Sequence, residues 1–223
     1  MAKTVLVVAA HPDDEVLGCG GTIARHVAEG DAVHVVFMAD GVGSRNGELA
    51  QDLSKRNLAK MRALKILGVS SHHSLDFPDN RMDSLPFLDI VQPLEKLVLQ
   101  IQPWTIYTHH HGDLNIDHRL THQAVLTVCR PQPHSSIREI LAFEVMSSTE
   151  WAGPGQPIFE PNVFVDMSGY WLKKSAALNE YDFEMRPEPH SRSIQHLDAL
   201  SMHRGACVGV ERAEAFALIR HVR

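Results

Sequence analysis

Two stretches of this chain concentrate side chains that bind metal ions and move protons: His11-Pro12-Asp13-Asp14-Glu15, and His109-His110-His111-Gly112-Asp113-Leu114-Asn115-Ile116-Asp117-His118. A catalytic zinc site takes three protein ligands, from His and carboxylate, and keeps a fourth position for water. His11 and Asp14, three residues apart in a tight turn, supply two such ligands, and His118 from the second stretch completes the set. Neutral imidazole mixed with carboxylate suits Zn2+ or another borderline divalent ion, and the lack of a nearby cysteine argues for an open site over a closed structural one. Water on such an ion has a pKa near 7, so hydroxide is available at neutral pH if a neighbouring carboxylate takes the proton. Asp13, beside the ligands but spare, is the expected general base. Asp13 or Asp14 would equally suit a helix N-cap. What favours a metal is the coincidence of two acidic-histidine stretches, both at expected strand exits.

Those exits follow from the hydrophobic pattern. Thr4 to Ala9 is a continuous Val-rich run, as expected of a strand buried on both faces of a parallel sheet. Gly20-Gly21 opens a short helix expected over Thr22 to Ala28, Gly30 ends it, and Ala32 to Met38 is the next strand. Apolar spacing predicts helices over 48–67, 86–102, 119–128, 169–181 and 193–206, with strands over 73–77, 104–108, 137–145 and 162–165. Sustained alternation means an α/β sheet, parallel at least in its first half. In doubly wound sheets the ligand site lies outside the carboxyl ends of the strands, where both stretches fall. Residues 1–223 read as a single domain, with loop insertions around 146–161 and 182–193.

Composition excludes several classes. Of 223 residues, 44% are hydrophobic and 22% charged, near globular averages. Lys plus Arg is 21 against 27 Asp plus Glu, a net charge of −6, so no nucleic acid partner is expected. The apolar start is too short to span a bilayer and lacks the flanks of a signal peptide, so the expected location is cytoplasmic. Three separated cysteines, Cys19, Cys129 and Cys207, build no disulfide framework. Fifteen histidines are the unusual feature.

Ala10-His11-Pro12-Asp13-Asp14-Glu15, followed by Gly18-x-Gly20-Gly21 and later by Asp117-His118, resembles the signature of the PIG-L/LmbE-like zinc de-N-acetylases. The resemblance covers most of the chain. It implies a Rossmann-like, mostly parallel sheet with helices on both faces, and removal of N-acetyl groups from amino sugars and their conjugates. Residue by residue it implies zinc on His11, Asp14 and His118, with Asp13 as base. Members often assemble, so a homo-oligomer is an expectation too. One position departs from the pattern. Many members carry a His three residues before the last ligand, where it polarises the acyl oxygen, and this chain has Asn115. An amide donates a hydrogen bond but carries no charge. His110 or His111 is the alternative source of that role, and His122 either packs on the sheet or orients a ligand.

For the substrate, Arg45 suits hydroxyl or phosphate oxygens, or simply a solvated loop. Asp79 and Asn80 suit sugar hydroxyls, although Pro78-Asp79-Asn80 is equally apt for a turn. Trp151, Tyr170, Trp171 and Tyr181 suit stacking on sugar faces, with core packing their commoner fate. The loops look like those of members tied to surface-glycan biosynthesis, which suggests an acetamido sugar, free or nucleotide-linked. A rival class is a metal-dependent hydratase of an unsaturated carboxylic acid, represented on the same scaffold, for which Arg45, Arg81, Arg186 and Arg192 would hold carboxylates. A non-catalytic metal protein would have no use for Asp13.

Overall fold

The computed structural model describes residues 2–41, 43 and 49–223. Strand β1 (Thr4–Ala9) is buried from Val5 onward, and its side chains divide between two cores. Val5, Val7 and Ala9 pack with helices α1 (Asp14–Ala28), α2 (Leu49–Leu67) and α5 (Trp171–Glu180); Leu6 and Val8 face α3 (Phe87–Ile101) and α4 (Ile116–Val128). A strand covered on both faces has no polar side, which is why its sequence is continuously apolar. Each Val or Leu so buried contributes about 1.5–3 kcal/mol.

Around β1 lie β2 (Ala32–Ala39), β3 (Ser71–Phe77), β4 (Thr105–His109), β5 (Glu139–Phe143), β6 (Val163–Asp166) and β7 (Ala213–His221), in the order β3-β2-β1-β4-β5-β7-β6. The first five strands are mutually parallel, and β7 runs antiparallel to both β5 and β6. Helix α6 (Ile194–Ala206) packs beside β7. Val7 pairs with Val35 of β2 on one side and Tyr107 of β4 on the other. The chain therefore reverses its direction of winding between β1 and β4, and the crevice outside their carboxyl ends is the topological switch point. His11 follows β1 there, and His109 ends β4. Among the described residues no helix is long and apolar enough to cross a membrane.

Two elements differ from the pattern reading. Helix α1 begins at Asp14, not Thr22, and runs through the glycines, with a break at Cys19 (φ −147°, ψ 25°). A Cβ on Gly18 would lie 2.3 Å from the Phe143 ring, and one on Gly21 2.3 Å from the Met167 sulfur. Those glycines admit close packing of the helix; read as helix breakers, they hid its first turns. Beyond the break, the Gly21 and Thr22 amides donate to the Glu214 carboxylate at 2.9 and 2.6 Å, which Lys174 Nζ also reaches at 2.6 Å. The second difference is β7, absent from the pattern reading. Its buried start, Ala213-Glu214-Ala215-Phe216, is poor in β-branched residues, so propensity gives it little signal. Of the loop segments, 146–161 holds a single 3-10 turn at Thr149–Trp151, and 182–193 joins α5 to α6 without helix or strand.

Candidate active site

The turn between β1 and α1 is pinned group by group. The Ala10 amide donates to His109 Nε2 at 2.8 Å, and the His11 amide to Asp14 Oδ2 at 2.8 Å. The Pro12 carbonyl accepts from Arg56 Nη1 at 2.7 Å, and the Asp13 amide donates to Glu15 Oε2 at 2.9 Å. Asp13 adopts φ 125°, ψ −30°, a conformation rare for any residue but glycine. It occupies the N-cap position of α1, yet its side chain makes no capping bond. Its carboxylate instead meets Arg192 Nη1 at 3.1 Å from Oδ2.

The turn brings His11 and Asp14 to His118, on the first turns of α4. Asp14 Oδ2 lies 3.3 Å from His11 Nδ1 and 3.3 Å from His118 Nε2. One donor atom from each of these three buried residues falls within 4.8 Å of the others. Asp14 Oδ1 is buried and has no hydrogen-bond partner among the described residues, an arrangement that would be costly unless a cation satisfied it. The far side of each imidazole faces a carboxylate. His11 Nε2 is 3.0 Å from Asp117 Oδ2 and 3.1 Å from Asp79 Oδ1. His118 Nδ1 faces Asp113 Oδ1 at 3.1 Å. Carboxylates placed behind imidazoles in this way fix ring orientation and raise basicity, as a metal site would need. Asp113 is itself held by the Ser148 hydroxyl and by Thr149 Oγ1 at 2.7 Å.

The field at this cluster favours positive charge. Burial alone would lower the pKa of His11, but Asp117, Asp14 and Asp79 outweigh it and hold the ring well above its ordinary value. Burial is likewise overcome at His118 by Asp14 and Asp113, which lift it to about 9. Asp14 stays well below the carboxylate range despite burial, because His118 and His109 face it. A site that attracts protons this strongly will also attract a divalent cation, which competes for the same atoms. Burial raises Asp13 to about 6 against the pull of Arg192, and raises Glu15 to about 8 against its bonds from the Asp13 amide and the Tyr181 hydroxyl.

His11, Asp13, Asn80, Asn115, His118 and Arg192 open onto one polar cavity of about 110 Å³, which Arg56 and Glu184 also line. Arg56 is nearly fully buried and pairs with Glu184. A larger hollow, about 460 Å³, lies under residues 152–159 beside Glu144 and Arg204, but it contains none of the metal donors. Another His/acid grouping, His26, Glu29 and Asp31, lies nearer the surface; both His26 nitrogens are already bonded, and Glu29 pairs with Arg25.

His11, Asp13, Asp14 and His118 are thus brought together as the sequence led us to expect. His110 and His111 are not brought into this cavity. His110 Nε2 bonds to the Pro157 carbonyl at 3.0 Å and its ring packs on Phe159, while His111 lies tilted against His122, 5.4 Å between ring centroids. Asn115 does line the cavity, but its amide is committed: Oδ1 caps α4 by accepting from the Asp117 amide at 2.8 Å, and Nδ2 donates to Asn80 Oδ1 at 2.9 Å. Asp79 also lines the cavity, buried beside His11, and accepts from Asn80 Nδ2. Arg45 lies outside the described residues. Tyr181 is fully buried, far from the exposure a stacking platform needs. Pattern reading assigned no role to Arg56 or Glu184, and it placed Asp113, Asp117 and His109 in the second stretch without one; the His109 ring stacks on His118 at 3.9 Å between centroids. The signal for Asp113 and Asp117 was present in their spacing from His118, within one loop.

The model of the PIG-L family, described as GlcNAc-PI de-N-acetylase, matches residues 6–129, more than half of the chain. The uncharacterized deacetylase YaiS of Escherichia coli (strain K12) is 32% identical over 185 residues, covering 80% of this chain and 90% of the relative. A 4-oxalmesaconate hydratase of Pseudomonas putida (strain KT2440) is 30% identical, covering 79% and 72%. Among solved structures, the N,N'-diacetylchitobiose deacetylase from Pyrococcus horikoshii superposes with a TM-score of 0.79 at 23% identity, covering 98% of this chain and 84% of that one, so the fold is shared.

Proposed function

The chain belongs to the PIG-L family, and from that premise we propose that it is a zinc-dependent amidohydrolase that removes the N-acetyl group from an amino-sugar derivative. The observation that carries this reading is Asp13: a carboxylate beside the metal donors, not needed as a ligand, turned into the cavity that His11 and His118 share. A purely structural metal site has no role for such a group.

His11, Asp14 and His118 would hold the zinc, which when bound supplies Lewis acidity toward the acetyl carbonyl and lowers the pKa of water to about 7. Asp13 takes a proton from the attacking water as the new C–O bond forms and then gives it to the leaving nitrogen as the amide C–N bond breaks. The acid's remaining proton passes to the amine or to solvent, giving acetate and a primary amine. Arg192, 3.1 Å from Asp13 Oδ2, orients that carboxylate and balances part of its charge. Asp117 and Asp113 hold the two imidazoles at their working angles. At the cavity wall Asn115 Nδ2 holds Asn80 Oδ1, and Asp79 accepts from Asn80 Nδ2, so that Asn80 and Asp79 form the polar edge that would meet sugar hydroxyls.

The hydratase reading needs arginines free to hold substrate carboxylates. Of those expected to serve it, Arg192 is turned to Asp13 and the Met146 carbonyl, and Arg186 to the carbonyls of Phe183 and Met185. Deacetylation is the better supported reaction. The test is a screen of N-acetylglucosamine, its β-1,4 disaccharide and nucleotide-linked acetamido sugars for acetate and primary amine in equal amounts. Activity should vanish on chelation and return with zinc. Amine release from none of them by metal-loaded protein, or undiminished turnover after chelation, refutes the reading; water addition to a conjugated unsaturated acid supports the rival.

A further inference from the structure

We propose that Tyr181 is a positioning residue for the base, holding Asp13 through Glu15 in the backbone conformation that aims its carboxylate into the cavity. The inference rests on the reading of Asp13 as the base.

The positive φ of Asp13 is a strained conformation, and such strain persists only where the surroundings over-determine it. Here the restraints can be named. Helix α1 fixes the Asp13 carbonyl, which accepts from the Val16 and Leu17 amides at 3.0 and 2.9 Å. The Asp13 amide has Glu15 Oε2 as its partner at 2.9 Å. Rotation to an ordinary φ would break one of these two attachments, so the strain lasts only as long as Glu15 holds its place. Glu15 is fully buried on the first turn of α1, with its side chain doubled back toward the turn. Its other oxygen, Oε1, accepts the Tyr181 hydroxyl at 2.8 Å. Tyr181 follows α5, which packs against α1, and is fully buried as well. The result is a continuous line from phenol to carboxylate to main-chain amide to the proposed base, anchored on a separate element. Tyr181 does not line the cavity, and its hydroxyl donates to Glu15, so loss of the hydroxyl alone, with the main chain kept, acts through this line.

The test compares Tyr181→Phe, Glu15→Gln and Glu15→Ala, each alone and with Asp13→Asn, in the full-length zinc-loaded protein. Tyr181→Phe should lower kcat by about 5- to 100-fold, the range expected when a reacting group is displaced by a fraction of an ångström to an ångström, with KM within about twofold and zinc content unchanged. Glutamine can still accept from the Asp13 amide through its carbonyl and donate to the phenol oxygen through its amide, so Glu15→Gln should keep about a third or more of kcat, where Glu15→Ala loses as much as Tyr181→Phe or more. In the Asp13→Asn background Tyr181→Phe should cost nothing further. A crystal structure of Tyr181→Phe should show Asp13 out of the positive-φ region.

Wild-type kcat in Tyr181→Phe, an equal loss in both backgrounds, or Glu15→Gln falling as far as Glu15→Ala overturns the proposal. If Tyr181→Phe does not fold, the Glu15→Gln and Glu15→Ala pair decides it. Full turnover in Asp13→Asn alone would instead overturn the assignment of the base, which separates the two failures.

Discussion

His11 Nε2 lies 3.0 Å from Asp117 Oδ2, in a ring whose Nδ1 faces Asp14 Oδ2 at 3.3 Å. One imidazole is thus gripped from both sides, and the outer grip is rigid: Asp117 also accepts the Asn80 amide at 2.7 Å and the Met82 amide at 3.1 Å. Asp117 is therefore fixed by backbone before any ligand binds, and it fixes His11 in turn. Asp117→Asn should weaken zinc binding by about 10- to 100-fold, measured by competition with a chelator. Unchanged affinity would mean that His11 needs no support from this side.

Asp13 and His118 should separate cleanly as base and ligand. Asp13→Asn should retain one zinc per chain while turnover falls by about 10²- to 10⁴-fold, the usual contribution of a positioned general base. His118→Ala should lose the metal itself. Metal analysis beside single-turnover rates distinguishes the two, and equal loss of zinc in both variants would make Asp13 a ligand.

His110 is bonded to the Pro157 carbonyl and packed on Phe159, and His111 rests on His122. Neither reaches the cavity that holds Asp13. His110→Ala and His111→Ala should therefore keep kcat within about threefold of wild type, well short of the loss that follows removal of a general acid or base. A hundredfold drop in either, with zinc retained, would bring that histidine back into the reaction.

The pattern reading recovered the parts of the fold that depend on local period. The run from Thr4 to Ala9 is uniformly apolar because both its faces are covered, and the spacing over 86–102 is that of the helix observed over Phe87–Ile101. Where tertiary packing sets the residue type, the sequence misled: Gly18 and Gly21 sit inside α1 because Phe143 and Met167 leave no room for a Cβ. In the site, the residue types and spacing that coordination chemistry would require were legible, and the structure brings those residues together. The direction of each side chain was not. Nothing in the order of residues says that His109 turns back to the Ala10 amide while His110 turns out to Pro157, since that alternation depends on where β4 ends and how the 146–161 segment folds over it.

Packing and site are coupled through Gly18. An ideal Cβ there would stand 2.3 Å from Phe143 Cδ2, and the Phe143 ring lies 4.6 Å from His109, which stacks on His118. Gly18→Ala should destabilise the protein by about 1–3 kcal/mol, as overpacking of a dense core does. Chemical denaturation measures the loss, and zinc affinity should weaken with it because His118 is displaced at second hand. A stable variant with unaltered zinc binding would show that Phe143 can move aside without disturbing the imidazoles.

Asp31 ties the end of α1 to the start of β1, accepting the Lys3 amide at 2.7 Å through Oδ1 and His26 Nδ1 at 2.7 Å through Oδ2. Partial burial would raise its pKa, but the bonds from Lys3 and His26 outweigh it, and the carboxyl sits below its ordinary value. A carboxyl whose pKa is lower in the folded than in the unfolded chain stabilises the fold above the unfolded value, about 3.9, and that stabilisation fades as pH falls through the folded one. Asp31→Asn, which keeps the shape but not the charge, should lower Tm at pH 7 by about 2–4 °C, the shift that roughly 1 kcal/mol gives in a chain of this size. The gap between variant and wild type should narrow as pH falls below about 4, where the carboxyl of the unfolded chain takes up its proton while the folded one still resists it. Melting curves for both proteins from pH 7 down to pH 3 measure it; a gap that stays constant would show that the two bonds act through geometry alone and owe nothing to the charge on Asp31.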